Sequence, residues 1–198
     1  MRILKKQELS GMKSVRKLSN TKLNLYIRRT VFVLAIFLVS MFQNTPHLSL
    51  PIFGARAFLL IPLVICISMF EKDISATLMG VLAGALWDAT LAYNDGFHAI
   101  FLMIISTVAG LLINYLMRNN LYTAMLISSV SIVLYAILHW LVFVVFRGVE
   151  GGLMLFVTFY MPSILYTFIF VPIIYFIMRA FVKKLKDRFP HAPIIRRP

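Results

Sequence analysis

Hydrophobic positions in this chain run together instead of alternating with polar ones. Apolar stretches occupy Tyr26 to Phe42, Ala57 to Phe70, Ile74 to Ala92, Phe97 to Met117, Leu121 to Phe146 and Leu153 to Val182. A helix crossing a bilayer needs ~20 such residues, within a usual range of ~17–25. None of the six shows the polar stripe that an amphipathic helix turns to water. Between them lie turn-forming groups: Asn44-Thr45-Pro46, Leu50-Pro51, Tyr93-Asn94-Asp95-Gly96, Arg118-Asn119-Asn120 and the stretch from Arg147 to Gly152. The pattern predicts an all-α integral membrane protein, a bundle of six transmembrane helices over residues 26–182, with tails at 1–25 and 183–198. The second stretch contains Pro62 and is short, so it is expected to be kinked or partly re-entrant. Pro162 and Pro172 are expected to kink the sixth.

Composition agrees with the pattern. Hydrophobic residues make up 61% and charged residues 14% of the 198, with a mean hydropathy of +0.88, against ~45–50% and ~25% in soluble domains. The net charge of +13 suggests nucleic acid at first, but the basic residues crowd into the tails and a few loops, which favours topology and anionic lipid. All 20 Lys and Arg except Arg56 and Arg147 fall on one side of the six-helix arrangement. By the positive-inside rule that side is cytoplasmic and holds both termini. The basic N-terminal stretch and first apolar run lead into Gln43-Asn44-Thr45-Pro46-His47 without a small-x-small cleavage site, so the run is read as a retained helix. Leu4, Leu9, Met12, Val15, Leu18, Leu23 and Leu25 interleave with the basic residues of that tail. The tail is read chiefly as a topology signal, with anionic lipid or an acidic partner as its functional alternative. Cys66 stands alone in an apolar run and is expected to be a small buried hydrophobe.

Candidate chemistry is sparse. Thr77, Gly80, Gly84 and Asp88 recur every four residues and share one helix face, where the glycines are expected to form a packing seam. A carboxylate in mid-membrane costs ~2.5–3.5 kcal/mol on insertion scales, so Asp88 needs a partner. Depth places Arg56, Asp88, Asp95, His98 and His139 in one outer layer, and an Arg56–Asp88 ion pair is the expected core of that layer. No His-x-x-x-His pair, second cysteine or facing carboxylate pair accompanies the histidines, so no metal site is expected. Neither a Gly-x-Ser-x-Gly elbow nor a Walker loop is present, and neither catalytic residues nor a cofactor is expected. Ser128, Ser129 and Ser131 are expected to bond between helices. The prolines of the sixth stretch keep open a broken helix that lines a substrate cavity.

Gly80-x3-Gly84-x3-Asp88, the Gly96 turn and the helix after it, Arg56 opening the preceding span and Met161-Pro162-Ser163 in the last resemble MreD, a bacterial rod shape-determining membrane protein family. The resemblance covers roughly residues 30 to 182. It implies a non-enzymatic scaffold of the cell-elongation complex in the bacterial cytoplasmic membrane, with a fold similar to the six-helix substrate-binding subunits of energy-coupling vitamin transporters. Implied partners are an MreC-like single-span protein and, through it, RodA, a class B penicillin-binding protein and the MreB filament. The long basic N-terminal tail and His139 depart from the family pattern. The runner-up is a small-molecule binding subunit of an energy-coupling vitamin transporter, although the Ala-x-x-x-Ala docking surface is interrupted, Ala35 being followed by Val39. An intramembrane enzyme, a third reading, lacks an assembled catalytic set.

Overall fold

The computed structural model describes residues 25–45, 55–91 and 95–188. Their regular structure is helical, with no strand among them. We number the helices α1 (Leu25–Asn44), α2 (Leu60–Ser68), α3 (Asp73–Asp88), α4 (Phe97–Tyr115), α5 (Leu121–Trp140, with a π-helical end Leu141–Val145) and α6. The last is built from Gly152–Leu155, a π-helical segment Phe156–Tyr160 and Met161–Arg188. Four of these, α1, α4, α5 and α6, are long and apolar enough to cross a membrane. Their outward faces carry large apolar side chains such as Leu38, Ile104, Val130 and Ile169, as lipid-facing helices require. The chain is a membrane protein on that ground.

The second apolar stretch departs from a full span. Only Leu60–Ser68 is helical, nine residues, and all nine are buried. It packs against α3, α4, α5 and α6 and is tied to α1 by a side-chain bond, so it forms the centre of the bundle. Residues 55–58 approach it without helical hydrogen bonds. Buried backbone N–H groups left unpaired cost free energy, and here side chains from two helices meet them. The N–H of Arg56 donates to Ser163 Oγ at 3.2 Å, that of Phe58 to Thr167 Oγ1 at 2.9 Å and that of Leu60 to Gln43 Oε1 at 3.0 Å. Every second N–H along the strand-like entry is therefore satisfied from α6 or α1. Pro62 lies two residues inside α2, in the first turn, where its missing N–H has no intrahelical partner to lose.

The glycine seam is a packing device, as expected. A Cβ on Gly80 would fall onto Ser106 Oγ and the Leu102 carbonyl, and one on Gly84 onto Ala99 Cα and the His98 carbonyl. Thr77 and Thr107 extend the same α3–α4 seam with hydroxyls 2.8 Å apart. The serines of α5 differ from expectation. Ser129 and Ser131 donate to carbonyls one turn back in their own helix, at 2.6 and 2.7 Å, instead of bonding to a neighbouring helix. Pro162 opens the last α-helical piece, directly after the π segment, while Pro172 lies within regular helix. The widened turn accommodates a ring that removes a donor and crowds the preceding turn. Cys66 is buried and free, and the last helix runs past Val182 to Arg188.

One end of the bundle is closed by charge. Arg28 of α1 donates to Glu71, after α2, at 2.6 Å; both side chains are at least nine-tenths buried. Arg29 bonds Ser75 of α3 at 2.7 Å. Asn119 reaches the carbonyl of Met69 at 2.7 Å. Arg28 and Arg29, the last two basic residues of the N-terminal run, thus lie on α1 and lock it to the α2–α3 turn. The leucine-interleaved basic tail falls at 1–24, outside the described residues, as do residues 189–198.

Candidate functional site

The opposite end holds the polar layer. Gly96 supplies the left-handed turn, φ 68°, that starts α4 but has no side chain to cap it. Asp88, the last residue of α3, caps α4 instead: Oδ1 accepts from the N–H of His98 at 3.2 Å and Oδ2 from that of Ala99 at 2.9 Å. These are two of the donors that a helix N-terminus leaves unpaired, and their dipole favours a negative group. His98 Nδ1 adds a third contact to Oδ1 at 2.7 Å, and its Nε2 lies 2.9 Å from the Tyr135 hydroxyl of α5. Facing a carboxylate, Nδ1 is the donor to Asp88, and in the neutral ring with that tautomer Nε2 accepts the Tyr135 proton. Asp88, His98 and Tyr135 are each no more than 3% exposed, so this chain is fully internal.

The expected Arg56–Asp88 ion pair is absent among the described residues. The α3–α4 turn brings His98 and two backbone N–H groups to Asp88, while Arg56 lies exposed, its main chain fixed by Ser163. Asp95 instead pairs with Arg147 at 3.1 Å on the surface, and the Arg147 guanidinium sits 4.8 Å from the Phe143 ring centre. His139 Nδ1 lies 2.7 Å from the Tyr160 hydroxyl, which joins α5 just before its π-helical end to the π-helical segment of α6; Trp140 Nε1 donates to the Gly152 carbonyl at 2.8 Å beside them.

All five layer residues border two adjoining cavities. One, of about 170 Å³, is lined by Gln43, Arg56, Phe58, Trp87, His98, Tyr135, His139 and Tyr160 among others. The second, of about 300 Å³, is lined by Asp88, Leu91, Asp95, Phe97, His98, His139 and Phe143. Leu91, His98 and His139 face both. Aromatic rings form much of the smaller cavity's wall: Trp87 lies 4.4 Å from His98 and 5.3 Å from Tyr135, and Phe58 lies 4.9 Å from Tyr135, between ring centres. The two histidine rings are 5.7 Å apart, and no group of three metal-ligating side chains occurs among the described residues.

Sequence reasoning gathered the layer but missed Tyr135, Tyr160 and Gln43. Tyr135 stands one helical turn before His139, a spacing that puts both on one face of α5. Gly80 and Gly84 lie in the α3–α4 seam, and Pro162 lies beside the layer's α6 wall, two residues after Tyr160. No protein-family model, no curated protein and no solved structure matches the chain.

Proposed function

We propose that this chain is a non-enzymatic scaffold in the bacterial cytoplasmic membrane, of the MreD kind, with all six apolar stretches crossing the bilayer, the second by its non-helical entry together with the short α2, and both termini inside. In that orientation the Arg28–Glu71 end faces the cytoplasm, the side of the excess basic charge, and the two cavities face outward. The observation that supports a scaffold is the use made of the polar layer. Asp88 and His98 hold α3, α4 and α5 together, His139 and Tyr160 hold α5 to α6, and Asp95 holds Arg147. These groups bind the bundle to itself and shape an aromatic-walled hollow with Leu91 and Arg56 exposed at its border. An apolar hollow edged by polar groups suits the outer end of a partner's transmembrane helix.

The reading names an MreC-like single-span protein as that partner, and through it RodA, a class B penicillin-binding protein and MreB. Co-purification from the native cell tests it. Substituting Leu91→Glu places a charge at the hollow's border and is expected to release the single-span partner and round the cells, with the variant still inserted. Retained partner and retained rod shape would contradict the assignment.

A further inference from the structure

The smaller cavity has an electrostatic asymmetry that packing does not use. Arg56 is the sole charged residue among those lining it, and its guanidinium has no carboxylate partner among the described residues. The acids of the layer, Asp88 and Asp95, border the neighbouring cavity and are already engaged. Gln43, 5% exposed, spends its Oε1 on the Leu60 N–H and leaves its amide NH2 without a partner among the described residues. His139 spends Nδ1 on Tyr160. With the Tyr160 hydroxyl donating to Nδ1, His139 presents Nε2–H as a donor. Around one cavity stand a guanidinium, an amide NH2 and, in that tautomer of His139, an imidazole N–H, three donors. Of the other polar side chains lining it, the His98 nitrogens and the Tyr135 and Tyr160 hydroxyls are satisfied within the protein, and Asn44 donates its amide Nδ2 to Ser40 Oγ at 3.3 Å.

The remaining wall is apolar and aromatic, from Phe58, Trp87, Leu91 and Phe159. A volume of about 170 Å³ is close to the ~150 Å³ that accommodates a benzene ring in an apolar protein cavity. Convergent donors beside a ring-sized apolar space are how proteins take small amphiphilic anions. We infer that this cavity is a binding site for a carboxylate or phosphate monoester carried on a ring-sized or slim apolar body, with Arg56, Gln43 and His139 facing the anion. The inference concerns the purified chain alone and does not rest on the scaffold reading. The anion has two possible sources, a soluble compound or the headgroup of a membrane lipid.

Trp87 lines the cavity and reports on it, the one other tryptophan being Trp140. The full chain in phosphatidylcholine nanodiscs is titrated with benzoate, phenyl phosphate and neutral benzyl alcohol while tryptophan fluorescence is read. Saturable change with at least one anion is expected, ~10-fold tighter than with the alcohol, and Arg56→Gln is expected to weaken it ~10-fold while Arg56→Lys recovers part, as for loss of a charge-assisted hydrogen bond. Arg56 is exposed, so these variants keep the fold, which their thermal melts verify. In nanodiscs containing phosphatidylglycerol, weaker probe binding together with retained anionic lipid in native mass spectra identifies the lipid source; unchanged probe binding identifies a soluble anion. No saturable change with either anion and no retained lipid would overturn the inference, as would equal binding of the alcohol or of Arg56→Gln.

Discussion

Asp88, 3% exposed, receives three hydrogen bonds on two oxygens, two from backbone N–H groups and one from an imidazole. An uncharged amide in its place offers one oxygen and turns an NH2 toward donors. Asp88→Asn is therefore expected to lower stability by about 1–3 kcal/mol, the cost of leaving buried groups unsatisfied, measured by thermal unfolding in detergent. Combining it with Arg56→Gln should be additive within ~0.5 kcal/mol, since the two residues share no contact; coupling would restore the expected ion pair. The need for a partner at Asp88 was legible from its place in an apolar helix. The partner's identity was not, because depth ranks five polar residues together while the short α3–α4 turn selects His98. Tyr135 and Tyr160 escaped notice for a related reason: a tyrosine in an apolar helix is compatible with lipid interface, core or hydrogen bond alike.

The elements were legible wherever apolar length decides. Helices α1, α4, α5 and α6 follow from their long runs, and the Gly80–Gly84 seam from spacing alone. The second stretch was legible as irregular, from Pro62 and its short length, but the means of stabilising it was not. Gln43, Ser163 and Thr167 are distant in sequence, and each reads as an ordinary small or polar residue of a membrane helix. Their role exists because residues 55–58 enter the bundle extended. Thr167 both accepts the Phe58 N–H and donates to the Ser163 carbonyl at 2.6 Å, so its hydroxyl links the entry to α6. Thr167→Val keeps the shape and removes that link. A loss of about 1–3 kcal/mol is expected from the unpaired N–H, with Thr167→Ser close to the parent in the same thermal unfolding measurement. Equal stability of Thr167→Val would mean that another group satisfies Phe58.

At the scale of the molecule, the short α2 is enclosed by the other helices, and the bundle is fastened at both ends by different chemistry. Ion pairing of Arg28 with Glu71 closes one end, and hydrogen-bonded rings around Asp88 close the other. Such an arrangement lets α2 stay short, because protein rather than lipid surrounds the non-helical backbone beside it. It also leaves the second end hollow, since the aromatic wall and the π-helical ends of α5 and α6 do not fill the space between them. In the proposed orientation that hollow faces outward and receives the partner. Leu91, which borders both cavities and is 43% exposed, is the position from which a partner would be touched, whereas Val130 of α5 is 61% exposed on a flank that borders neither cavity. The most direct measurement is photo-crosslinking in the native cell, with a photoreactive residue in place of Leu91 or of Val130. The account predicts an adduct with the single-span MreC-like protein from position 91 and none from position 130; absence of that adduct at 91, or equal yield from both positions, would contradict it.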